Sequence, residues 1–206
     1  MVANYHIKSY CHIKSNKATL NGDVIYHDES HTFSEFAKEV YKNQDVNYPK
    51  FFKMDNLSKL AFLAADVLLK NEKINPEETN NIAIVFSNKA SSLDTDRKHQ
   101  EAIKDKENYH PSPAVFVYTL PNICVGEISI KYKLYSENSF FIFDNFNASH
   151  LVTYSNNLLK TNKADQVLCG WVDYDDQDHY EAFIYLVAEE GRETHSEQDV
   201  ITLYNT

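Results

Sequence analysis

Glycine is scarce in this chain, 4 residues in 206. Neither the phosphate-cradling Walker spacing nor the dinucleotide fingerprint occurs, so nucleotide-dependent chemistry has no support in the sequence. Cysteine is scarcer still. Cys11, Cys124 and Cys169 are odd in number and widely spaced, and imply no disulfide framework. No apolar run approaches the roughly 20 residues that a membrane span requires. The opening stretch "MVANYHIKSYCHIKSNK" lacks the apolar core of a signal peptide. Basic side chains are outnumbered, 20 Lys and Arg against 30 Asp and Glu, for a net charge of −10. Such a surface is repelled by nucleic acid and by anionic membranes. The expectation is a soluble cytoplasmic protein with no nucleic-acid partner, no membrane span and no cofactor or metal of its own.

What is present points to a packed domain. The chain is 43% hydrophobic and 24% charged, within the globular range, and its length suits a single domain over residues 1–206. Residues 5–13 alternate, with Tyr5, Ile7, Ser9, Cys11 and Ile13 on one face, which is strand periodicity; Asn21-Gly22 then marks a turn. Ser34 is placed to cap a short helix carrying Phe36 and Val40. "KMDNLSKLAFLAADVLLKN" is the strongest helix, with Asp55 as N-cap and an apolar surface so wide that burial on most sides is expected. "NIAIVFSN" reads as a strand covered on both faces, typical of parallel pairing. A polar stretch, residues 89–108, follows as the most exposed part of the middle. Residues 111–134 read as two helical segments broken at Pro121. "SFFIF" is a buried strand, residues 147–165 a helix with Ala148, Leu151, Val152, Ser155, Leu158 and Leu159 inward, and "QVLCGWV" a strand. "YEAFIYLVAEE" closes the series as an antiparallel or edge-like strand. Strands alternating with helices predict a layered α/β fold, with helices on both faces of the sheet.

Three of these pieces together resemble the β-ketoacyl synthases: "FFKMDNLSKLAFLAADVLLKN", "PSPAVFVYTLPNICVGEISIKYKL" and "KADQVLCGWVDY". Taken in order, the resemblance runs from about residue 5 to residue 190. It implies the N-terminal half of a thiolase-like fold, a five-stranded mixed β-sheet layered with helices. In that family the corner between "SFFIF" and the next helix carries a Thr-Ala-Cys-Ser motif, whose Cys accepts an acyl chain from an acyl carrier protein. Laid on this sequence the corner is Asp144-Asn145-Phe146-Asn147-Ala148-Ser149, and Asn147 stands at the nucleophile position. A carboxamide has no thiolate form with which to attack. The family's two catalytic histidines lie in a C-terminal half that has no counterpart in these residues. Condensation by the standard mechanism therefore lacks its nucleophile and its oxyanion partners here.

Other chemistry-bearing residues are weaker candidates. Ser149 falls in the first helical turn, where serine is usually a cap or packing group, and adjacent His150 points in another direction. Cys124 and Cys169 sit in apolar segments as inert thiols. His6, His12, His27 and His31 lack the tight spacing of a structural zinc site. "DYDDQDHYE" lacks the Gly and terminal Glu of a calcium loop and reads as a solvated turn.

Three functions compete on this evidence. The resemblance implies a non-catalytic or partner-dependent ketosynthase-like subunit in fatty-acid, polyketide or aryl-polyene-type pigment biosynthesis. It would work with an acyl carrier protein or a full-length ketosynthase as a homo- or heterodimer, and shape chain length. Asn147, Ala148 and Ser149 would then contact an acyl chain on a phosphopantetheine arm. The second reading is a scaffold half-thiolase without an acyl pocket, exposing a large apolar patch where the missing half would pack. The third is a small acyltransferase or thioesterase using Ser149.

Overall fold

The computed structural model describes residues 4–28, 32–107, 109–175 and 179–206. His31, residues 176–178 of the acidic stretch and the first three residues of the N-terminal stretch lie outside them.

The chain opens with strand β1 (His6–Lys14), β2 (Lys17–Leu20) and β3 (Asp23–His27). Both connections are two-residue turns with positive φ at each position, Ser15 and Asn16 at 49° and 54° and Asn21 and Gly22 at 53° and 89°. That pairing of left-handed residues is what the right-handed twist of a hairpin selects. Helix α1 (Phe33–Asn43) begins at a reciprocal capping box between Thr32 and Glu35, so the cap is Thr32 and the expected Ser34 lies inside the helix. Helix α2 (Asn56–Asn71) is capped by Asp55, whose carboxylate accepts from the Ser58 N–H at 2.9 Å, and is buried on nearly every side.

Strand β4 (Ile82–Asn88) is buried at all positions. The polar stretch after it forms helix α3 (Leu93–Ile103). Helices α4 (Pro113–Val117) and α5 (Ile123–Tyr132) break where Pro121 removes a backbone donor. Strand β5 (Asn138–Ile142) leads into helix α6 (Ala148–Lys160), and strands β6 (Gln166–Tyr174) and β7 (Tyr180–Ala188) form a hairpin. A two-residue strand, β8 (Glu193–Thr194), and helix α7 (Glu197–Tyr204) finish the chain. The sequence reading missed α7, although Ser196 caps it by accepting from the Asp199 N–H.

The sheet runs β3-β2-β1-β7-β6-β4-β5, with β8 beside β1. Its core is the expected five-stranded mixed sheet, β1-β7-β6-β4-β5. β4 is parallel to β5 and β6, and β7 is antiparallel to both of its neighbours, β1 and β6. β2, β3 and β8 raise the count to eight. Two details differ from the sequence reading. β7 is interior, not at an edge, and β5 is an edge strand, half exposed. An apolar pentapeptide reads the same way in either place.

Helices cover both faces. On one lie α1, α2 and α5, packed on Cys11, Ile13, Ile84, Phe86, Leu168 and Leu186. On the other lie α6 and α7, packed on Ile7, Val85, Cys169, Phe183, Tyr185 and Val187. A bulge between Ile7 and Ser9 moves β1 from one face to the other, so the five alternating residues that seemed to share a face do not. Gly170 is required where β6 and β7 meet, since a Cβ there would stand 2.7 Å from the Phe183 carbonyl oxygen.

Candidate functional site at the carboxyl end of the sheet

In a layered α/β fold, the carboxyl ends of the parallel strands are where side chains gather without being consumed by the sheet. Here β4 ends at Asn88, β5 at Ile142 and β6 at Tyr174. The corner after β5 is tied to the end of β4 by the Phe143 N–H, which donates to the Asn88 carbonyl at 2.9 Å. The Asp173 carboxylate takes the Lys89 and Ala90 N–H groups at 3.0 and 2.8 Å, fixing the turn after β4 against β6.

Asn147 is the N-cap of α6. Its Oδ1 accepts from the His150 N–H at 2.9 Å, and its φ and ψ of −117° and 80° lie outside the helix. The carboxamide oxygen is therefore committed to the helix start. Among the described residues, no hydrogen bond engages its Nδ2 group. Ala148 is buried beneath it and Ser149 is exposed. No histidine or carboxylate among the described residues lies within hydrogen-bond distance of Ser149. The His150 ring instead sits in an aromatic cage, edge-on to Phe141 at 4.4 Å and Phe143 at 5.0 Å and stacked toward Tyr154 at 5.8 Å, with Nε2 buried and unpaired.

The space beside Asn147 is filled by Phe146. Its ring stacks on Tyr204 of α7 at 4.1 Å and stands edge-on to Phe183 at 5.9 Å and Trp171 at 6.2 Å. Tyr204 in turn donates to Glu181 at 2.6 Å, and Glu181 also meets His12 at 2.9 Å and Lys14 at 2.8 Å. Burial pushes the Glu181 carboxyl up, but the hydrogen bonds from His12, Lys14 and Tyr204 outweigh it and hold the group at about 2. Burial and the Glu181 carboxylate together push the Tyr204 phenol up, so it stays a donor. None of this network was found from the sequence. Its one legible signal was Phe146, a bulky aromatic directly before the cap.

The remaining candidates are dispersed. Burial pushes the Cys169 thiol up to about 12, against hydrogen bonds with Ser155 and Tyr185, and pushes Cys124 well above its ordinary value. Neither offers a thiolate at neutral pH. His6 meets the Glu189 carbonyl at the far end of β1 from His12, and no cluster of three or more metal-ligating groups occurs among the described residues. The inward stripe of α6 is as expected, with Ala148, Leu151, Ser155, Leu158 and Leu159 buried and Val152 half-buried, and the exposed face is polar: Ser149, Thr153, Asn157 and Lys160. Helix α7 covers part of the second sheet face beside it. Cavities of about 440, 460 and 270 Å³ open on the surface, and none has Asn147, Ala148 or Ser149 in its lining. Among the described residues no helix is long and apolar enough to cross a membrane.

No protein-family model matches the sequence, and no curated protein resembles it closely enough to register. Solved structures do. The chain superposes on the ishigamide ketosynthase/chain length factor with a TM-score of 0.64 at 15% identity, over 90% of this chain and 62% of that one. This is a ketosynthase-type, thiolase-like fold. The ketosynthase ApeO in complex with its chain length factor ApeC, from Xenorhabdus doucetiae, gives 0.62 at 12% identity, over 98% of this chain and 90% of that one. The type II polyketide synthase acyl-carrier protein complex AntDE:AntF gives 0.64 at 13% identity, over 90% and 63%. This chain thus spans less than two thirds of the ishigamide and AntDE:AntF chains, and nearly the whole of a chain in the ApeO–ApeC complex.

Proposed function

We propose that this chain is a non-catalytic, ketosynthase-like subunit that acts with a partner ketosynthase and an acyl carrier protein in cytoplasmic polyketide or aryl-polyene-type synthesis. The observation that carries the reading is the corner at Asn147: a buried sheet delivers a residue to a helix N-terminus in a ketosynthase-type fold, and that residue is an amide whose oxygen caps the helix. Its Nδ2 group can donate to a thioester or carboxylate without attacking it. The structural neighbours include a ketosynthase paired with its chain length factor and a ketosynthase paired with a carrier protein, and one matching chain is nearly as short as this one.

Pairing is supported by the edge of the sheet. The outer side of β5 has no strand partner among the described residues, and an open edge is a template for another chain. Ile142 at its end is 49% exposed, and Phe116 and Leu120 are 60% and 56% exposed. Hydrogen bonds connect these positions, from Phe143 to Asn88, from Asn88 to Ser91 and from Ser92 to Thr119. The apolar rim and the open edge are thus linked through the turn after β4.

A second reading is favoured by Phe146 and Tyr204. Their stack occupies the space beside the corner, as a scaffold without an acyl pocket would require. Substitution at Asn147 separates the two. Asn147→Ser and Asn147→Asp keep the capping oxygen but remove the amide donor. With the partner ketosynthase and carrier protein, changed product chain length or rate in both variants supports the positioning role. Products identical to wild type in both, with the complex intact, would leave the scaffold.

A further inference from the structure

The hairpin extension of the sheet carries a lysine, Lys17, that no acid among the described residues answers. The tight Ser15–Asn16 turn sets Lys14 directly opposite Lys17. The row continues outward, since Lys17 faces His27 across β2 and β3, and inward, since Lys14 faces Glu181 of β7. His12 faces Thr19 two residues along. Alternate residues of a strand share a face, so His12, Lys14, Lys17, Thr19 and His27 all stand on the α7 side of the sheet. With Ser15 and Thr206 they line the cavity of about 440 Å³. In a chain of net charge −10, that lining holds two Lys and two His and neither Asp nor Glu.

Like charges directly opposite one another destabilise a sheet. Glu181 answers only one of the two lysines. Its Oε1 accepts from Lys14 and meets His12, and its Oε2 accepts from Tyr204, so both oxygens are engaged. Among the described residues no carboxylate reaches Lys17. Sequence alone gives no reason to place a lysine at the closing position of a hairpin whose other closing residue is a lysine. A dianion between the two ammonium groups would turn the repulsion into attraction.

We propose that this cavity is an anion site for the phosphate group of a small phosphorylated molecule, held between Lys14 and Lys17 with the Ser15 hydroxyl beside them. The volume exceeds what inorganic phosphate fills, which leaves room for an ester substituent. The site does not depend on the reading of the Asn147 corner, because the Phe146–Tyr204 stack stands between the two. The phosphate could come from a free metabolite or from a pantetheine arm, and the chemistry of recognition is the same.

The test is isothermal titration of the full chain, in chloride buffer at fixed ionic strength, with inorganic phosphate, 4′-phosphopantetheine and pantetheine. Saturable one-to-one binding of the phosphorylated compounds but not of pantetheine is expected. Lys17→Gln should weaken it about tenfold, the loss of one charge-assisted contact, and Lys17→Glu should abolish it. In phosphate-free buffer Lys17→Gln should melt at or above the wild-type temperature, since the lysine repulsion is gone; this separates lost binding from lost folding. Tighter binding of 4′-phosphopantetheine than of phosphate would support the site with a carrier arm as its source, and equal binding would support it with a free phosphate group. No saturable binding of either phosphorylated compound, or the same affinity in wild type and Lys17→Gln, would overturn the proposal.

Discussion

The two faces of one sheet are built differently. The face under α1, α2 and α5 is almost wholly apolar: α2 buries Leu57, Leu60, Phe62, Leu63, Leu68 and Leu69 along with four alanine and valine positions. Its two buried acids among the described residues are both paired: Asp66 is met by the Tyr132 hydroxyl at 2.8 Å and by Lys70 at 2.9 Å, and Glu127 by the Tyr118 hydroxyl at 3.0 Å and by Lys50 at 2.8 Å. The face under α6 and α7 carries rings and polar groups toward its carboxyl end, with Phe146, Tyr204, His12 and Glu181 in mutual contact or linked by hydrogen bonds, and His150 caged apart by Phe141, Phe143 and Tyr154. The first face holds the domain together by burial that needs no particular partner. The second is held by specific pairings, and those pairings stand where strands end and a ligand can approach.

A truncation on the first face should therefore cost most. Leu63→Ala, at a fully buried position, should lower stability by about 2–5 kcal/mol, measured by denaturant unfolding, and leave phosphate and partner binding unchanged in the protein that remains folded. A cost below 1 kcal/mol would mean that α2 is not the principal element of the core.

A polar change on the second face should cost less and depend on pH. The Glu181 carboxyl is held at about 2 in the fold against an ordinary value near 4.5. A depressed acid stabilises the fold above its unfolded pKa, and that contribution disappears as pH falls from about 4.5 toward about 2. Glu181→Gln should therefore cost about 1–2 kcal/mol near neutral pH, after allowing for solvent screening, and the gap from wild type should close at low pH. Unfolding curves that stay equally separated from pH 7 to pH 3 would contradict the network.

The smallest effect is at the cap. Asn147→Ala should lower stability by about 1 kcal/mol, while Asn147→Asp and Asn147→Ser should hold within a few tenths of wild type. Thermal melts decide this, and equal losses in all three would show that Oδ1 does not carry the helix start.

Much of the fold was legible because its signals are local. The Asp55 cap, the dense apolar surface of α2, the continuous apolar run of β4 and the Asn21-Gly22 turn each depend on neighbours a few residues away, and each appears where the sequence placed it. The strand-to-helix corner at Asn147 was legible for the same reason. Apart from the α1 cap, which is Thr32 and not Ser34, and helix α7, the misses are matters of distance along the chain. Whether "SFFIF" lies inside the sheet or at its edge depends on which strand pairs beside it, and helix α7 had no apolar run long enough to announce it.

By itself, then, the sequence determined the class of element at most positions and the absence of a thiol at the corner, because periodicity, capping and residue chemistry are properties of short segments. Only the tertiary structure decided that Phe146 meets Tyr204, that Glu181 gathers His12 and Lys14, and that Lys17 stands opposite Lys14 with no acid among the described residues to answer it. Those contacts join residues up to 169 positions apart. Their partners are set by strand order and register, which no short segment contains.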